Sequence, residues 1–258
     1  MSSPPFDPPD PAPAELGEII RRALRLYRSS PLLFVCIALI VAIPLGVLDL
    51  GTNISFGQSG GGGAALGVSV GLEALVTILV TPMSWAAATV AAIDAYAGRE
   101  PDLGRSLEPV GEHFWPMAGA LLVATAGILI GAPLVIPAVF LLVLWVFVSQ
   151  ATVVEGRSVR AALARSAELV RGGWWRVFAT VLVAQAAATV FLRLLVAPVA
   201  GLSSRLANTP QSVITGLWEI AVLAVVEPLV MTTVAVLYLD RRVRLEGRWP
   251  ETEGALAD

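Results

Sequence analysis

Six long apolar runs constrain the fold of this chain more than any other feature of its sequence. They lie near residues 32–50, 67–97, 117–133, 134–153, 175–200 and 212–240. A helix that crosses the hydrocarbon core of a membrane needs about 20 apolar residues. Only 14% of all residues are charged, compared with about 25% in soluble domains. The sequence therefore predicts an all-α, polytopic membrane helix bundle of about six transmembrane helices.

A single transmembrane domain, residues 15–248, is predicted between two polar tails. Residues 1–14 are rich in proline and aspartate, a composition typical of disorder, and residues 249–258 are expected to be disordered as well. The first tail lacks the basic region and adjoining apolar stretch of a cleavable signal peptide. We therefore expect the first apolar run to be retained as a span.

Glycine and proline punctuate the connections between the predicted spans. Gly131, Pro133 and Pro137 predict a tight hairpin between the third and fourth spans. The segment GQSGGGGAALG, residues 57–67, predicts a flexible loop. LSSRLANTPQ, residues 202–211, separates the last two spans.

The arginines indicate the orientation of the bundle. Every basic residue is an arginine, and 15 of the 17 lie before span one, after span six, or between spans two and three or four and five. Positively charged loops remain on the cytoplasmic side of a membrane, so both termini are predicted to be cytoplasmic. The absence of lysine, with much alanine, valine, leucine and proline, indicates a GC-rich bacterial genome. We therefore expect a multi-pass protein of the bacterial inner membrane.

Three amphipathic interfacial helices are predicted at about 15–29, 102–114 and 157–172. In the third helix the arginines fall within an arc of about 140°, which we expect to face water and anionic headgroups. The candidate anionic-lipid contacts are Arg21, Arg25, Arg28, Arg160, Arg165 and Arg171. A solvated connector is the simpler interpretation of these helices, and a dedicated lipid or partner site is the alternative.

Polar residues of span two recur in span six at a constant spacing. Glu73, Pro82 and Asp94 are followed 146 residues later by Glu219, Pro228 and Asp240. Gly-Arg pairs at residues 98–99, 156–157 and 247–248 follow the second, fourth and sixth spans. This pattern predicts three repeats of surface helix, span and span, of which the second has diverged.

A candidate intramembrane polar site follows from the charges and prolines within the spans. Its residues are Glu73, Pro82, Arg193, Glu219, Glu227 and Pro228. A charge at the bilayer centre costs at least about 2.5–3.5 kcal/mol, and interrupted helices in corresponding halves indicate transporter sites. We expect Arg193 to extend to the outer interface, and a pair with Glu219 is the alternative. For Glu227 a protonated structural role and a coupling-ion site both stay open. The prolines are expected to serve packing, with a transporter site as the alternative.

Composition argues against several classes of function. With one cysteine and one histidine, a metal site is not expected. The net charge of −3 argues against a nucleic-acid partner. Catalytic-triad and phosphate-loop patterns are absent from the sequence. We therefore expect no catalytic residues, no cofactor and no metal.

Two segments resemble a known membrane domain. AALARSAELVRGGWWRVFATVLV, residues 161–183, and LYLDRRVRLEG, residues 237–247, are similar to the membrane domain associated with glycerophosphoryl diester phosphodiesterases. The resemblance implies a stand-alone bacterial integral membrane form. The catalytic barrel of the two-domain relatives has no counterpart in this sequence, so phosphodiesterase activity is not expected, and the family supplies no agreed catalytic residues.

Two functional interpretations follow. The first is an integral membrane protein without a catalytic site, which binds lipid or a protein partner, including a second copy of itself, at the cytoplasmic leaflet. The alternative is a transporter or channel for a small molecule or ion, with its site near the proline-containing spans two and six.

Overall fold

The computed structural model of the chain describes residues 14–59, 63–203 and 211–247, and these ranges contain helices and no β-strand. The helices are α1 (Leu16–Ser29), α2 (Pro31–Ser59), α3 (Gly63–Tyr96), α4 (Leu103–Glu112), α5 (Phe114–Gly131), α6 (Ile136–Leu144), α7 (Val148–Val154), α8 (Val159–Val170), α9 (Trp174–Ser203) and α10 (Gln211–Glu246). A 3-10 helix, Ala132–Leu134, joins α5 to α6. The predicted all-α helix bundle is confirmed.

Six segments of the described chain are long and apolar enough to cross a membrane. They are Pro31–Leu48, Gly71–Tyr96, Phe114–Leu134, Ile136–Val154, Trp174–Leu202 and Val213–Glu246. Large apolar side chains on their outer faces, such as Ile130 and Leu194, are exposed. An exposed apolar surface of this kind is suited to lipid. The chain is therefore a multi-pass integral membrane protein.

The predicted loop at residues 57–67 is largely helical, so this prediction was wrong. α2 continues to Ser59 and α3 begins at Gly63, and only residues 60–62 lie outside the described ranges. A glycine costs a helix only about 1 kcal/mol, whereas an unpaired backbone group in an apolar environment costs several. Residues 204–210 of the other predicted loop, and residues 1–13 and 248–258 of the tails, also lie outside the described ranges.

α10 is the central helix of the bundle. It contacts α1, α2, α3, α8 and α9, and every residue from 230 to 239 is buried. α1 packs against it through Ile19, Ala23 and Leu26, all fully or almost fully buried. The hydroxyl of Tyr27 donates a hydrogen bond to the carbonyl oxygen of Val225 over 3.2 Å. α1 is therefore held by the bundle itself.

The fourth predicted span is broken between α6 and α7. The hydroxyl of Ser166, in α8, accepts a hydrogen bond from the backbone N–H of Phe147 over 3.1 Å. It also donates a hydrogen bond to the carbonyl oxygen of Leu144 over 2.8 Å. A break inside an apolar bundle requires partners for its backbone groups, and the fully buried Ser166 provides them for two.

Ser166→Ala is expected to lower the free energy of unfolding by about 1–3 kcal/mol, because it leaves buried backbone groups at the break without a partner. Tryptophan fluorescence during unfolding in detergent would measure the change. Ser158→Ala is the matched control, since Ser158 precedes α8, is exposed and makes no capping side-chain hydrogen bond. Equal stabilities of the two variants would contradict this role of Ser166.

The three glycines of the Gly-Arg pairs share one backbone conformation. Gly98, Gly156 and Gly247 follow α3, α7 and α10 and have φ angles of 71°, 60° and 66°. Glycine enters this left-handed region without the steric penalty of other residues and commonly ends helices. The shared geometry agrees with three related units, and the repeat itself stays a prediction.

Candidate functional site

A cavity of about 200 Å³ lies between α2, α3 and α10. Two carboxylates, Glu73 of α3 and Glu219 of α10, line it together with Thr77. The remaining walls are formed by small and apolar residues, namely Ala42, Leu45, Gly46, Gly216, Ile220 and Leu223. The cavity therefore combines apolar walls with two acidic groups contributed by different helices.

The cavity lies far from the end of the bundle where α8 packs on α10. It is lined by residues 216–223 of α10, whereas Glu155 and α8 contact α10 at Tyr238, Arg241 and Glu246. At 1.5 Å per residue, Glu219 and Arg241 are about 33 Å apart along the helix. We call the end of the bundle that contains α8 and the C-terminal turns of α10 the arginine-rich end. The acidic cavity is thus near the opposite end.

The structure brings Glu73 and Glu219 to one cavity, while Glu227, Pro82 and Pro228 do not line it. The indole N–H of Trp85, in α3, donates a hydrogen bond to Glu227 Oε1 over 3.1 Å. Glu227 therefore joins α10 to α3, about two turns beyond Glu219 along α10. Sequence analysis did not select Trp85, although a tryptophan inside a span, away from the interfaces that it prefers, was a signal for a buried N–H partner.

The pair of Arg193 and Glu219, which the sequence left as an alternative, is not formed. Arg193 is exposed on the outer surface of α9, and it makes no ion pair among the residues that the structure describes. The indole N–H of Trp218 donates to the carbonyl oxygen of Leu195. α9 and α10 therefore meet so that Arg193 and Glu219 lie at a similar depth, as expected. Depth alone suggested the pair, but Arg193 lies on a face of α9 that does not pack against α10.

Arg165 does not face water or lipid, so its assignment as a lipid contact was wrong. Its side chain is only 9% exposed and contacts three carboxylates. Its Nε lies 2.9 Å from Glu155 Oε2, Nη1 lies 3.0 Å from Glu168 Oε2, and Nη2 hydrogen-bonds Glu246. The helical wheel placed it with the other arginines, but Arg165 also follows the buried Ala162 by three residues and precedes the buried Leu169 by four. It therefore belongs to the packed stripe of α8.

Two of these carboxylates also contact side chains of α10, Glu155 from outside the helix and Glu246 from within it. The Tyr238 hydroxyl donates to Glu155 Oε1 over 2.8 Å, and Arg242 Nε donates to Glu246 Oε2 over 3.0 Å. We call Glu155, Arg165, Tyr238, Arg242 and Glu246 the charge cluster. Burial alone would lower the pKa of Arg165, but hydrogen bonds to Glu168 and Glu155 and the nearby Glu246 raise this pKa overall. The cluster holds α8 and its preceding turn on the end of α10.

The other predicted lipid contacts remain on the surface. Arg28, Arg160 and Arg171 are exposed. Arg21 and Arg25 are also exposed, but each lies 3.2 Å from a carboxylate oxygen of Glu18. A hydrogen bond from Arg22, followed by the charges of the neighbouring arginines, lowers the pKa of Glu18. Arg28, Arg160 and Arg171 therefore have the positive charge most accessible to an anion.

One family model matches the chain, and it covers residues 106–241, more than half of the sequence. Its description is "Domain of unknown function (DUF7847)". No curated protein and no solved structure matches. The match includes Glu155, Arg165 and Glu219, but Glu73 lies outside it. It does not bear on the resemblance to the phosphodiesterase-associated membrane domain, which stays a prediction, although the segments that carry this resemblance meet in the charge cluster.

Proposed function

We propose a function for this chain from the geometry of its structure. The chain belongs to the DUF7847 family, a domain of unknown function, so the family itself suggests no function. The chain is a membrane protein that binds a small cation as cargo, either an alkali ion such as sodium or a small organic ammonium, in the cavity between α2, α3 and α10. The observation that carries this proposal is that Glu73 and Glu219 line the same cavity.

The two carboxylates provide the reason for a cation. Ionisable side chains within membrane spans are costly and generally serve a pathway, a ligand or a partner. Here both lie on the wall of a cavity whose other walls are largely apolar, so electrostatic attraction to a cation is screened less than in bulk water. Its volume of about 200 Å³ is below the range of about 300–1,000 Å³ for drug-sized ligands. A small cation fits this space.

Transport of the cation is the fuller form of this proposal. α3 and α10 each contain a proline, Pro82 and Pro228, beyond the cavity along the chain. Proline removes a helical hydrogen bond and permits bending. The Trp85–Glu227 hydrogen bond joins the two helices in the same region, between the cavity and the arginine-rich end. These features favour a transporter or channel whose central helices bend around the site.

Binding of sodium, potassium, methylammonium and guanidinium by the purified protein tests the proposal, with N-methylglucamine keeping the ionic strength constant. We expect at least one of these cations to bind, as measured by calorimetry. Loss of a charged partner costs about 2 kcal/mol or more, so Glu73→Gln/Glu219→Gln should weaken binding by about 30-fold or more.

The matched control is Glu108→Gln/Glu112→Gln, which removes two exposed carboxylates from α4 and should leave binding unchanged. The proposal fails if none of the four cations binds to the wild-type protein, or if both double variants bind equally well. Uptake of the bound cation into liposomes then separates a transporter from a protein that only binds it.

Binding of anionic lipid at the arginine-rich end is the second candidate function. It is favoured by the exposure of Arg28 and Arg171, which precede apolar spans, and of Arg160 in α8. Exposed arginines near a membrane surface attract anionic lipids. This candidate is independent of the cavity, since it involves different residues and the opposite charge.

A further inference from the structure

The turn between α8 and α9 gathers arginines without paired carboxylates. Arg241, in α10, reaches this turn, where its Nε donates to the carbonyl oxygen of Leu169 over 2.7 Å and its Nη2 to that of Arg171 over 2.8 Å. Gly173 makes this approach possible, because a Cβ there would lie 2.5 Å from Arg241 Nη1. The backbone of the turn is thus built around a guanidinium that is only 7% exposed.

The positive charge at this turn is only partly neutralised by the protein. In the described part of the chain, Arg171, Arg176 and Arg241 form no salt bridge with a carboxylate. Asp240, next to Arg241, is already engaged by Arg244 at 2.7 and 3.0 Å. Arg244 and Arg176 repel Arg241, and Asp240 attracts it, so positive charge remains in excess. An uncompensated cation is costly when buried, so an external anion would stabilise this arrangement.

The surroundings of the turn are those of a membrane interface. Trp174 stacks on Phe178 with a centroid distance of 5.2 Å, and Trp175 is 76% exposed. Tryptophans are enriched where spans meet the headgroup layer. Leu182, seven residues after Trp175 and therefore on the same face of α9, is also exposed. An acyl chain can lie along this face while its headgroup contacts the arginines.

We propose that Arg171, Arg176 and Arg241 form a binding site for the phosphate of an anionic glycerophospholipid at the α8–α9 turn. This inference gives the second candidate function a site and a ligand class and rests on that candidate, but not on the cation cavity. Arg171 and Arg176 contact the phosphate directly. Arg241 adds its charge and fixes the backbone of the turn. The exposed Trp175 and Leu182 favour a lipid over a soluble phosphate.

Native mass spectrometry of the full-length protein, equilibrated in detergent with equal amounts of phosphatidylglycerol and phosphatidylcholine, tests this site. We expect the wild-type protein to retain phosphatidylglycerol preferentially. Each cation near an anionic headgroup raises the affinity for the lipid about fivefold. The Arg171→Gln/Arg176→Gln variant should therefore retain about 30-fold less phosphatidylglycerol. Arg171→Lys/Arg176→Lys keeps both charges and should retain most of the lipid, which separates loss of charge from misfolding.

A second double variant separates this site from lipid binding elsewhere. Arg105→Gln/Arg193→Gln removes the same charge from exposed positions outside the turn and should retain phosphatidylglycerol. If it loses the lipid while the turn variant keeps it, lipid binding survives and the turn site is overturned. If the wild-type protein retains phosphatidylglycerol and phosphatidylcholine equally, both the turn site and the second candidate function are overturned. If glycerol phosphate binds the protein as tightly as phosphatidylglycerol does, the assignment of the ligand to a lipid is overturned.

Discussion

Glu155→Ala is expected to lower the free energy of unfolding by about 3 kcal/mol. The Glu155 side chain is only 4% exposed, and it accepts hydrogen bonds from Arg165 and Tyr238. Removal of one partner from a buried ion pair costs about 3–5 kcal/mol, because the remaining charge stays buried. Arg165 keeps its contacts with Glu168 and Glu246, so the lower end of this range applies.

The large effect follows from where Glu155 lies. It follows α7, and its carboxylate contacts α8 and α10. Its loss also leaves the Tyr238 hydroxyl, on a fully buried side chain, without its acceptor. Separation of α8 from α10 would expose Arg165 to water, but only if Ala162 and Leu169 lost their packing as well. The Glu155→Ala variant therefore either leaves Arg165 and Tyr238 buried without their hydrogen bonds to Glu155, or exposes them and loses the packing of α8.

Glu168→Ala is the matched control, because Glu168 contacts the same arginine but its side chain is 60% exposed. An exposed ion pair contributes about 0–1 kcal/mol, so this variant should be nearly as stable as the wild-type protein. Denaturant titration of both variants in the same detergent measures the difference. Similar stabilities of the two variants would show that the charge cluster does not hold α8 on α10.

The fold was largely predictable because a membrane limits the backbone structures that can cross it. Backbone groups in an apolar medium must bond within a helix, so each apolar run of sufficient length implied one. The same constraint explains the error at residues 57–67, where a glycine-rich segment was read by the rules of soluble loops. The break at Leu144–Val148 could not be predicted, because the groups that stabilise it come from Ser166, in a different helix.

The candidate site was predictable only where a repeated spacing in the sequence related residues of two different helices. The spacing of Glu73 and Glu219 implied equivalent positions, and both line the cavity. A helical wheel describes one helix against a uniform surrounding. It could not indicate that Arg165 meets Glu246, which is 81 residues away in the chain. The alternative pair of Arg193 with Glu219 came from depth alone, without information about which face of α9 packs.

Gly46→Ala is expected to lower the free energy of unfolding by about 1–3 kcal/mol, the usual cost of overpacking. A Cβ at residue 46 of α2 would lie 2.1 Å from Cγ1 and 2.4 Å from Cδ1 of Ile220 in α10. Small residues allow membrane helices to approach closely, and this contact forms part of the cavity wall. Alanine must therefore separate α2 from α10 or turn the Ile220 side chain into the cavity.

Either response also alters the cation site, so we expect Gly46→Ala to weaken binding of the cation that the wild-type protein takes. Gly71→Ala is the control, because a Cβ at Gly71 of α3 meets nothing within 4 Å, and alanine should stabilise that helix by about 0.5–1 kcal/mol. Ile220→Ala on the Gly46→Ala background should restore part of the stability, since it removes the atoms that clash. Unfolding titrations and cation calorimetry on the four proteins measure both effects. If Gly46→Ala is as well tolerated as Gly71→Ala, α2 and α10 do not approach as closely as the cavity requires, and the cation site loses its third wall.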